Sequence, residues 1–308
     1  MRLRSAFVIL LSFFSVVVWP LSAAPPPRPD LRGFVYKGRE GFAGARIYIL
    51  AAAVNQGQGD ASVSLVNPEM GRLDTSSGPT HGYRYVLADN NGRFMMFNAY
   101  TCVPGQQVYL YISGEPNPGD ESAASSESEL ATLGNCPERG NFGSVYPRIV
   151  VNEVTTIAAA YSLARYARDA MHISYDGSLK QQESIREAFA SAAKLVDVRT
   201  GEATAGADLS PGEFPPQTLM LHALANVLNA CISLVSLTDP VPGPCVDLFR
   251  ATAGNTSAQH APVDTASAAI NIALHPAANV DALFLLSRQS SAFSPALTAK
   301  PKDFVLRN

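Results

Sequence analysis

The hydrophobic pattern of the chain changes near residue 152, from alternation along short runs to the spacing of helices. Before this point, runs of β-branched and aromatic residues are separated by glycine and asparagine turns. They predict β-strands at residues 33–36, 45–50, 83–87, 93–97 and 107–112. The sequence Asp-Asn-Asn-Gly at residues 89–92 tolerates positive φ angles, and we therefore predict a hairpin between Val86 and Phe97.

After this point, apolar residues recur at helical spacing. Asn152 is a favoured N-cap and begins an alanine-rich helix. A second helix begins after Ser178, where Gln181 completes a capping-box pattern. Residues 219–235 are apolar nearly all round, which predicts a helix surrounded by others at the centre of the helical part. Further helices are predicted at residues 264–274 and 279–287.

These patterns predict the α+β fold class and five segments. The segments are a signal peptide at residues 1–24, a proline-rich linker at 25–31, an antiparallel β-sandwich domain at 32–151, an all-α helical domain at 152–294 and an extended C-terminal tail at 295–308. Within the β-sandwich, residues 55–80 and 115–143 are rich in glycine, serine and proline, and they predict long exposed loops.

The first segment has the features of a cleaved export signal. Arg2 and Arg4 precede an apolar run at residues 6–18, and Ser-Ala-Ala at residues 22–24 forms a small-residue exit. The run is shorter than the roughly 20 residues that a membrane span needs. We therefore expect a secreted or periplasmic protein of the cell envelope, with no membrane span after signal cleavage.

The four cysteines are expected to form disulfide bonds in such an oxidising compartment. Three pairings are formally allowed. The pairs Cys102 with Cys136 and Cys231 with Cys245 are favoured because each lies within one predicted domain. No Cys-x-x-Cys spacing occurs and no histidine is near in sequence, so we expect neither a metal site nor a cofactor.

Composition limits the classes of partner. The chain is 47% hydrophobic and only 16% charged, which is enough apolar surface for a substantial core. Without Arg2 and Arg4, 21 basic residues face 26 acidic ones, a net charge of −5. A mildly acidic surface repels nucleic acid and anionic lipid, so we expect neither as a main partner.

No catalytic constellation is recognisable in the sequence. The histidines are scattered without zinc-binding spacing, and no Gly-x-Ser-x-Gly elbow is present. Glu153 lies in the first turn of its predicted helix, where the helix dipole favours an acid. A lone acid at this place also resembles the single carboxylic acid of helical muramidases, which protonates a glycosidic oxygen.

Six tyrosines lie in the predicted strands, at positions 36, 48, 83, 85, 109 and 111. An exposed row of tyrosines suits recognition of sugar or protein, because the ring is apolar and the hydroxyl forms hydrogen bonds. Tyr109 and Tyr111 are the candidate binding face, and envelope glycan or protein is the candidate partner. The other explanation is that these tyrosines pack in the core.

Three motifs resemble the carboxypeptidase-regulatory-like or Cna-B-like β-sandwich, which has a prealbumin-like fold. They are Gly-Phe-Val at residues 33–35, Gly-Ala-Arg-Ile-Tyr at 44–48 and Ala-Asp-Asn-Asn-Gly-Arg-Phe at 88–94, where Ala88 replaces the usual threonine. Some members of that family join a strand lysine to an asparagine through an amide bond, with the help of a nearby acid, and Lys37 is the lysine in the matching strand. A solvent-facing lysine is the favoured interpretation of Lys37, because one sequence does not show that geometry.

Four further motifs extend the resemblance to secreted bacterial proteins of uncharacterised function. In those proteins such a region can precede NHL-type propeller repeats. They are Tyr-Thr-Cys at residues 100–102, Leu-Gly-Asn-Cys at 133–136, Val-Asn-Glu-Val-Thr-Thr at 151–156 and Phe-Ser-Pro-Ala-Leu at 293–297. The resemblance implies a secreted, non-catalytic structural or interaction module of the cell envelope or extracellular space. The alternative is a secreted glycan-cleaving or other hydrolytic enzyme that uses the helical domain, with Glu153 in a cleft.

Overall fold

The computed structural model describes residues 29–54, 60–114, 125–204, 215–233, 243–253 and 261–306. The predicted signal peptide and most of the predicted linker lie outside the described residues. The described part is mixed α+β, with several antiparallel sheets and six α-helices. The predicted fold class is confirmed at this level.

The strands are β1 (Leu31–Lys37), β2 (Glu40–Gly41), β3 (Arg46–Ala51), β4 (Ala53–Val54), β5 (Val63–Ser64), β6 (Arg72–Leu73), β7 (Arg84–Leu87), β8 (Arg93–Met96), β9 (Gln107–Ser113), β10 (Ser128–Asn135), β11 (Ile149–Val151), β12 (Ala167–Asp169), β13 (His172–Tyr175), β14 (Val196–Asp197) and β15 (Glu202–Ala203). The helices are α1 (Glu153–Leu163), α2 (Leu179–Leu195), α3 (Pro216–Ser233), α4 (Gly243–Ala253), α5 (Thr265–Leu274) and α6 (Val280–Ser287). All strands and helices predicted from periodicity are present.

Two sheets form the β part. The larger sheet has the strand order β10-β9-β3-β7-β6, and β5 pairs with the end of β3. In the smaller sheet, β1 lies between β8, which is antiparallel to it, and β11, which is parallel. The short strand β2 folds back on the end of β1. Two minor ladders, β12-β13-β4 and β14-β15, lie outside these sheets.

The predicted hairpin between Val86 and Phe97 is wrong. The turn itself forms, because Asp89 N donates to Arg93 O at 2.8 Å and Gly92 adopts a φ of +73°. However, β7 pairs with β3 and β6, whereas β8 pairs with β1. The turn therefore carries the chain from one sheet to the other, since a turn signal determines the local backbone and not the partner of each strand.

The predicted loop at residues 115–143 contains the strand β10. This strand pairs antiparallel with β9 from Ser128 to Asn135. Its sequence Ser-Glu-Leu-Ala-Thr-Leu-Gly-Asn has a single β-branched residue, so intrinsic propensity does not reveal it. The short strands β5 and β6 likewise interrupt the predicted loop at residues 55–80.

The central strands of the larger sheet, β3 and β9, are buried on both faces. In β3, Ile47 and Ile49 face a hydrophobic core that also contains Phe94 of the smaller sheet. Tyr48 and Leu50 face a second core, which contains residues of the helices. Continuous apolar runs are typical of strands covered on both sides. The helices and the larger sheet thus share one hydrophobic core, which crosses the predicted domain boundary at residue 152.

Helix α1 lies between the larger sheet and the other helices. Asn152 caps it as predicted, in a reciprocal capping box with Thr155. Its side chains are buried apart from the half-buried Tyr161, and it contacts β10, α2, α3 and α5. The apolar pattern of residues 219–235 predicts that α3 lies at the centre of the helical part. Residues 223–232 of α3 are buried, as expected of a helix surrounded by others, although His222, Asn226 and Asn229 form a polar stripe along it. Helix α1, however, is the helix that joins both parts of the fold.

Both predicted disulfide pairings are confirmed. Cys102 is bonded to Cys136, which joins the segment before β9 to the end of β10. Cys231 is bonded to Cys245, which joins α3 to α4. The predicted C-terminal tail has no regular secondary structure up to residue 306, but it is docked. Phe304 is fully buried, and its carbonyl accepts a hydrogen bond from the Tyr161 hydroxyl at 2.6 Å.

Threonine side chains from two helices form hydrogen bonds with the backbone at the outer edge of β10. Leu130 N donates to Thr156 Oγ1, and Thr155 Oγ1 donates to Leu130 O, both at 2.9 Å. Two residues earlier, Ser128 N donates to Thr265 Oγ1 of α5 at 2.8 Å. All these groups are buried, and buried backbone groups need partners. The first turns of α1 and α5 therefore replace a further strand at this edge.

We expect Thr156→Val to lower the free energy of unfolding by about 1 to 3 kcal/mol, because valine keeps the shape but leaves the Leu130 N–H unpaired. Ser162→Ala in the same helix is the control, since its buried hydroxyl has no partner within the described residues. This control should be neutral or stabilising. Urea denaturation of both variants measures the difference, and equal effects would contradict the role given to Thr156.

Candidate functional site

The predicted tyrosine face is not exposed. Tyr109 and Tyr111 are 0% and 1% exposed, and both lie in the core between the larger sheet and the helices. The Tyr111 hydroxyl donates to Asp264 Oδ2 at 2.8 Å, and the Tyr109 hydroxyl lies 2.8 Å from Ser62 Oγ. Burial raises the pKa of both hydroxyls well above the usual value. Both residues therefore stabilise the fold, because the strand register turns them toward the helices.

Glu153 is fully buried at the start of α1. Its carboxylate accepts hydrogen bonds from Gly38 N at 2.9 Å and from Asn229 Nδ2 at 2.6 Å. The side chain thus joins α1 to α3 and to the turn between β1 and β2. Burial raises the pKa of Glu153 to about 7, although these hydrogen bonds favour the ionised form.

Two more buried acids lie near Glu153, and we call Glu127, Glu129 and Glu153 the buried carboxylate cluster. Lys37 Nζ lies 2.5 Å from Glu127 Oε2. Neither oxygen of Glu129 has a hydrogen-bond partner within the described residues. Burial, and secondly the charge of Glu153, raise the pKa of Glu129 well above its usual value. Burial therefore favours the uncharged form of Glu129, and the ammonium of Lys37 compensates the charge of Glu127.

The contacts of Lys37 differ from those that the family resemblance implies. The sequence favours a solvent-facing lysine, and the resemblance offers an amide bond to an asparagine as the alternative. In the structure, Lys37 forms an ion pair with Glu127, and its ammonium lies 4.1 Å from the centroid of the Phe42 ring. These contacts hold the end of β1 against the segment that precedes β10.

The acids of the buried carboxylate cluster are enclosed by protein: Glu129 and Glu153 are 0% exposed and Glu127 is 7% exposed. A cavity of about 730 Å³ lies beside the start of α1 and is lined by Gly38, Asn152 and Val154. Glu153 itself does not line it and is 0% exposed. A general acid must come within hydrogen-bond distance of the group that it protonates. In this arrangement the carboxylate of Glu153 binds the backbone of Gly38 and the side chain of Asn229.

A second candidate site lies on the outer face of the smaller sheet. The register places Phe34 of β1 between Arg93 of β8 and Val150 of β11. The ring of Phe34 stacks on that of Tyr36, with centroids 5.9 Å apart and planes at 14°. Both rings are half-buried. The sheet therefore presents a pair of stacked aromatic rings to the outside.

Two adjoining cavities run over this face, and we call them together the outer groove. The first, of about 440 Å³, is lined by Phe34, and the second is the 730 Å³ cavity beside α1, lined by Tyr36. Thr200 lines both cavities and joins them. His222 and Phe293 line the far end of the second cavity.

Five exposed arginines line the outer groove: Arg32, Arg39, Arg93, Arg148 and Arg199. Three of them are anchored through Nε to a backbone carbonyl. Arg32 donates to Pro147 O at 2.6 Å, Arg148 to Arg199 O at 3.2 Å and Arg39 to Ala292 O at 3.2 Å. Within the described residues, only Arg199 has a carboxylate partner, Asp197.

The outer groove has no contiguous signature in the sequence. Its arginines are spread over 168 residues, from position 32 to position 199, without a common motif. Strand pairing brings them together, because β8 and β11 both pair with β1. The alternation of Arg32, Phe34 and Tyr36 along β1 is the one signal that marks this face in the sequence.

Comparisons with known proteins do not identify a relative. No family model matches the chain, and neither a curated protein nor a solved structure shows significant similarity to it. Within the described residues, none of the helices has both the length and the apolarity that crossing a bilayer requires.

We expect the Glu153→Gln variant to change the pH dependence of stability. The folded pKa of about 7 lies above the ordinary value of 4.5, so the folded state retains a proton that the unfolded state releases between these values. The contribution of Glu153 is therefore fully present below about pH 4.5 and is lost as the pH rises through 7. Between pH 5 and pH 8 the wild type should lose about 2 to 3 kcal/mol more than the variant.

Urea denaturation at both pH values measures this difference. Glu187→Gln is the matched control, because Glu187 is exposed on α2 and its substitution should leave the pH dependence of the wild type unchanged. Parallel stability profiles for the wild type and Glu153→Gln would show that Glu153 does not carry the raised pKa.

Proposed function

We propose that this protein is an exported, non-catalytic interaction module of the cell envelope or extracellular space, and that it binds its ligand in the outer groove. The observation that carries the proposal is the stacked pair Phe34 and Tyr36 among five exposed arginines. An aromatic surface with charged groups at its rim is typical of recognition sites. Two disulfide bonds and the predicted export signal are consistent with a place outside the cytoplasm.

The chemistry of the outer groove supports binding over catalysis. Arginine keeps its charge at any ordinary pH, so it holds an anion but does not transfer protons. His222 is engaged, because its Nδ1 lies 2.6 Å from Pro295 O and its ring packs against Phe293. Besides His222, the described lining of the groove contains one acid, Glu202, and no hydrogen bond joins these two side chains within the described residues.

The alternative function is a secreted glycan-cleaving or other hydrolytic enzyme that uses the helices. One observation favours it: the raised pKa of Glu153, about 7, suits a general acid. The complete enclosure of Glu153 argues against it, because protonation of a glycosidic oxygen requires contact with the sugar. The interaction module is therefore the better-supported function.

The proposal also includes the fold that the family resemblance implies. We propose that the two sheets correspond to the Cna-B-like β-sandwich of prealbumin type, and that the helices are an addition that covers the second face of the larger sheet. The hydrophobic core that both sheets line supports the first part. The core that the larger sheet shares with the helices supports the second.

We expect the mature protein to be retained on a fraction of wall glycan, membrane or secreted polymer from its source. The double variant Phe34→Ala with Tyr36→Ala should lose most of this retention, because it removes the stacked rings. Co-sedimentation with each fraction measures it, and thermal denaturation checks that the variant is folded. Leu285→Ala is the control, since Leu285 is 65% exposed on α6 and lies outside the groove.

Two outcomes would contradict the proposed function. Retention on none of the fractions would remove the evidence for an interaction module. Equal retention of the folded double variant and the wild type would place the binding surface elsewhere on the molecule.

A further inference from the structure

We infer that the ligand of the outer groove is a carboxylate-bearing polysaccharide, bound along the smaller sheet by its arginines and stacked rings. This inference rests on the proposed function and names the ligand class of the same site. It follows from four features of the groove: its charge, the anchoring of its arginines, the pairing of its central strand and its length.

The charge of the outer groove is opposite to that of the chain. The mature chain has a net charge of −5, yet the groove carries five arginines. Glu202 is the one acid in its lining, and Asp197 forms an ion pair with Arg199. Positive charge lining a concave surface attracts and orients anionic groups, while the acidic remainder of the surface repels them.

Three of the groove arginines are oriented by hydrogen bonds to the protein before any ligand binds. In Arg32, Arg39 and Arg148 the Nε–H group is bonded to a carbonyl, so each side chain is fixed at its base. The terminal nitrogens of these three guanidinium groups form no hydrogen bond within the described residues, and their geometry matches the two oxygens of a carboxylate. Fixing the side chains before binding reduces the entropy lost when the ligand is bound.

The pairing of β1 favours a sugar polymer over an acidic peptide. An extended peptide usually binds at a free strand edge, where backbone hydrogen bonds are available. Strand β1 is paired on both sides, with β8 and β11, so the floor of the groove offers side chains alone. The half-buried rings of Phe34 and Tyr36 offer an apolar surface, and the Tyr36 hydroxyl offers a hydrogen-bonding group, which together suit a sugar ring.

The groove is long enough for several sugar units. Along β1 from Arg32 to Tyr36 the strand extends about 13 Å, at about 3.3 Å per residue. The groove then continues past Thr200 to Arg39 and His222. Acidic groups that repeat along a polymer would meet arginines over this whole length. A single small anion would contact only one or two of them.

Polygalacturonate is the first probe, because each of its units carries one carboxylate. The fully methyl-esterified polymer of equal length is its neutral counterpart, and oligothymidylate is an anionic polymer that carries phosphates and bases. Affinity electrophoresis of the mature protein measures all three. We expect retardation by polygalacturonate that weakens as salt is added, and at least about tenfold weaker binding of the esterified polymer.

The double variant Arg93→Gln with Arg148→Gln should bind polygalacturonate about tenfold more weakly, since it removes two charged contacts. Arg72→Gln is the matched control, because Arg72 is exposed in β6 and does not line the groove. The single variant Arg93→Gln is tested as well, in case the double variant does not fold. The Arg93 guanidinium makes one described contact, with Met95 Sδ at 3.3 Å, so its loss should leave the melting temperature unchanged.

The outcomes separate this inference from the proposed function. Equal binding of the acidic and the esterified polymer, insensitive to the arginine variants, would overturn the carboxylate class and leave an interaction module. Preference for oligothymidylate would overturn the polysaccharide in favour of nucleic acid. Retention on none of the polymers and on none of the source fractions would overturn both. Equal losses for Arg72→Gln and the groove variants would show a nonspecific charge effect and overturn the site.

Discussion

The fold depends on how the outer edge of β10 is covered. This strand ends the larger sheet, and its backbone groups at Ser128 and Leu130 are fully buried. Threonine hydroxyls from the first turns of α1 and α5 supply the partners that a further strand would have given. The helices are therefore joined to the sheet by hydrogen bonds as well as by apolar packing, and a slip of β10 by one residue would break both.

The same junction explains why acidic residues are buried. Glu129 lies on β10 between the two residues that contact the helices, and Glu153 occupies the first position of α1. Closing the sheet edge removes both carboxylates from water, and proximity makes it unfavourable for both to be charged. Lys37 and the Asn229 amide offset part of this cost. These acids thus lie in the buried contact between the larger sheet and the helices. The outer face of the smaller sheet, by contrast, is exposed.

The two candidate sites differ in how far the sequence reveals them. Glu153 is conspicuous in the sequence, but its burial depends on Gly38 and Asn229, which lie far from it along the chain. Tyr109 and Tyr111 suggest a binding face, yet β9 is covered on both sides, and these two side chains point to the side that the helices cover. The arginines of the outer groove form no motif, because each comes from a different segment.

What the sequence by itself determined is local: the strands and helices with strong periodicity, the caps at Asn152 and Ser178, the turn at residues 89–92 and the pairing of nearby cysteines. Hydrogen bonds and torsional preferences between neighbouring residues produce these features. Only the tertiary structure decided the partners of β7 and β8, the existence of β10, the shared core and the alignment of the arginines. Those features depend on contacts between distant segments, which periodicity and propensity do not encode.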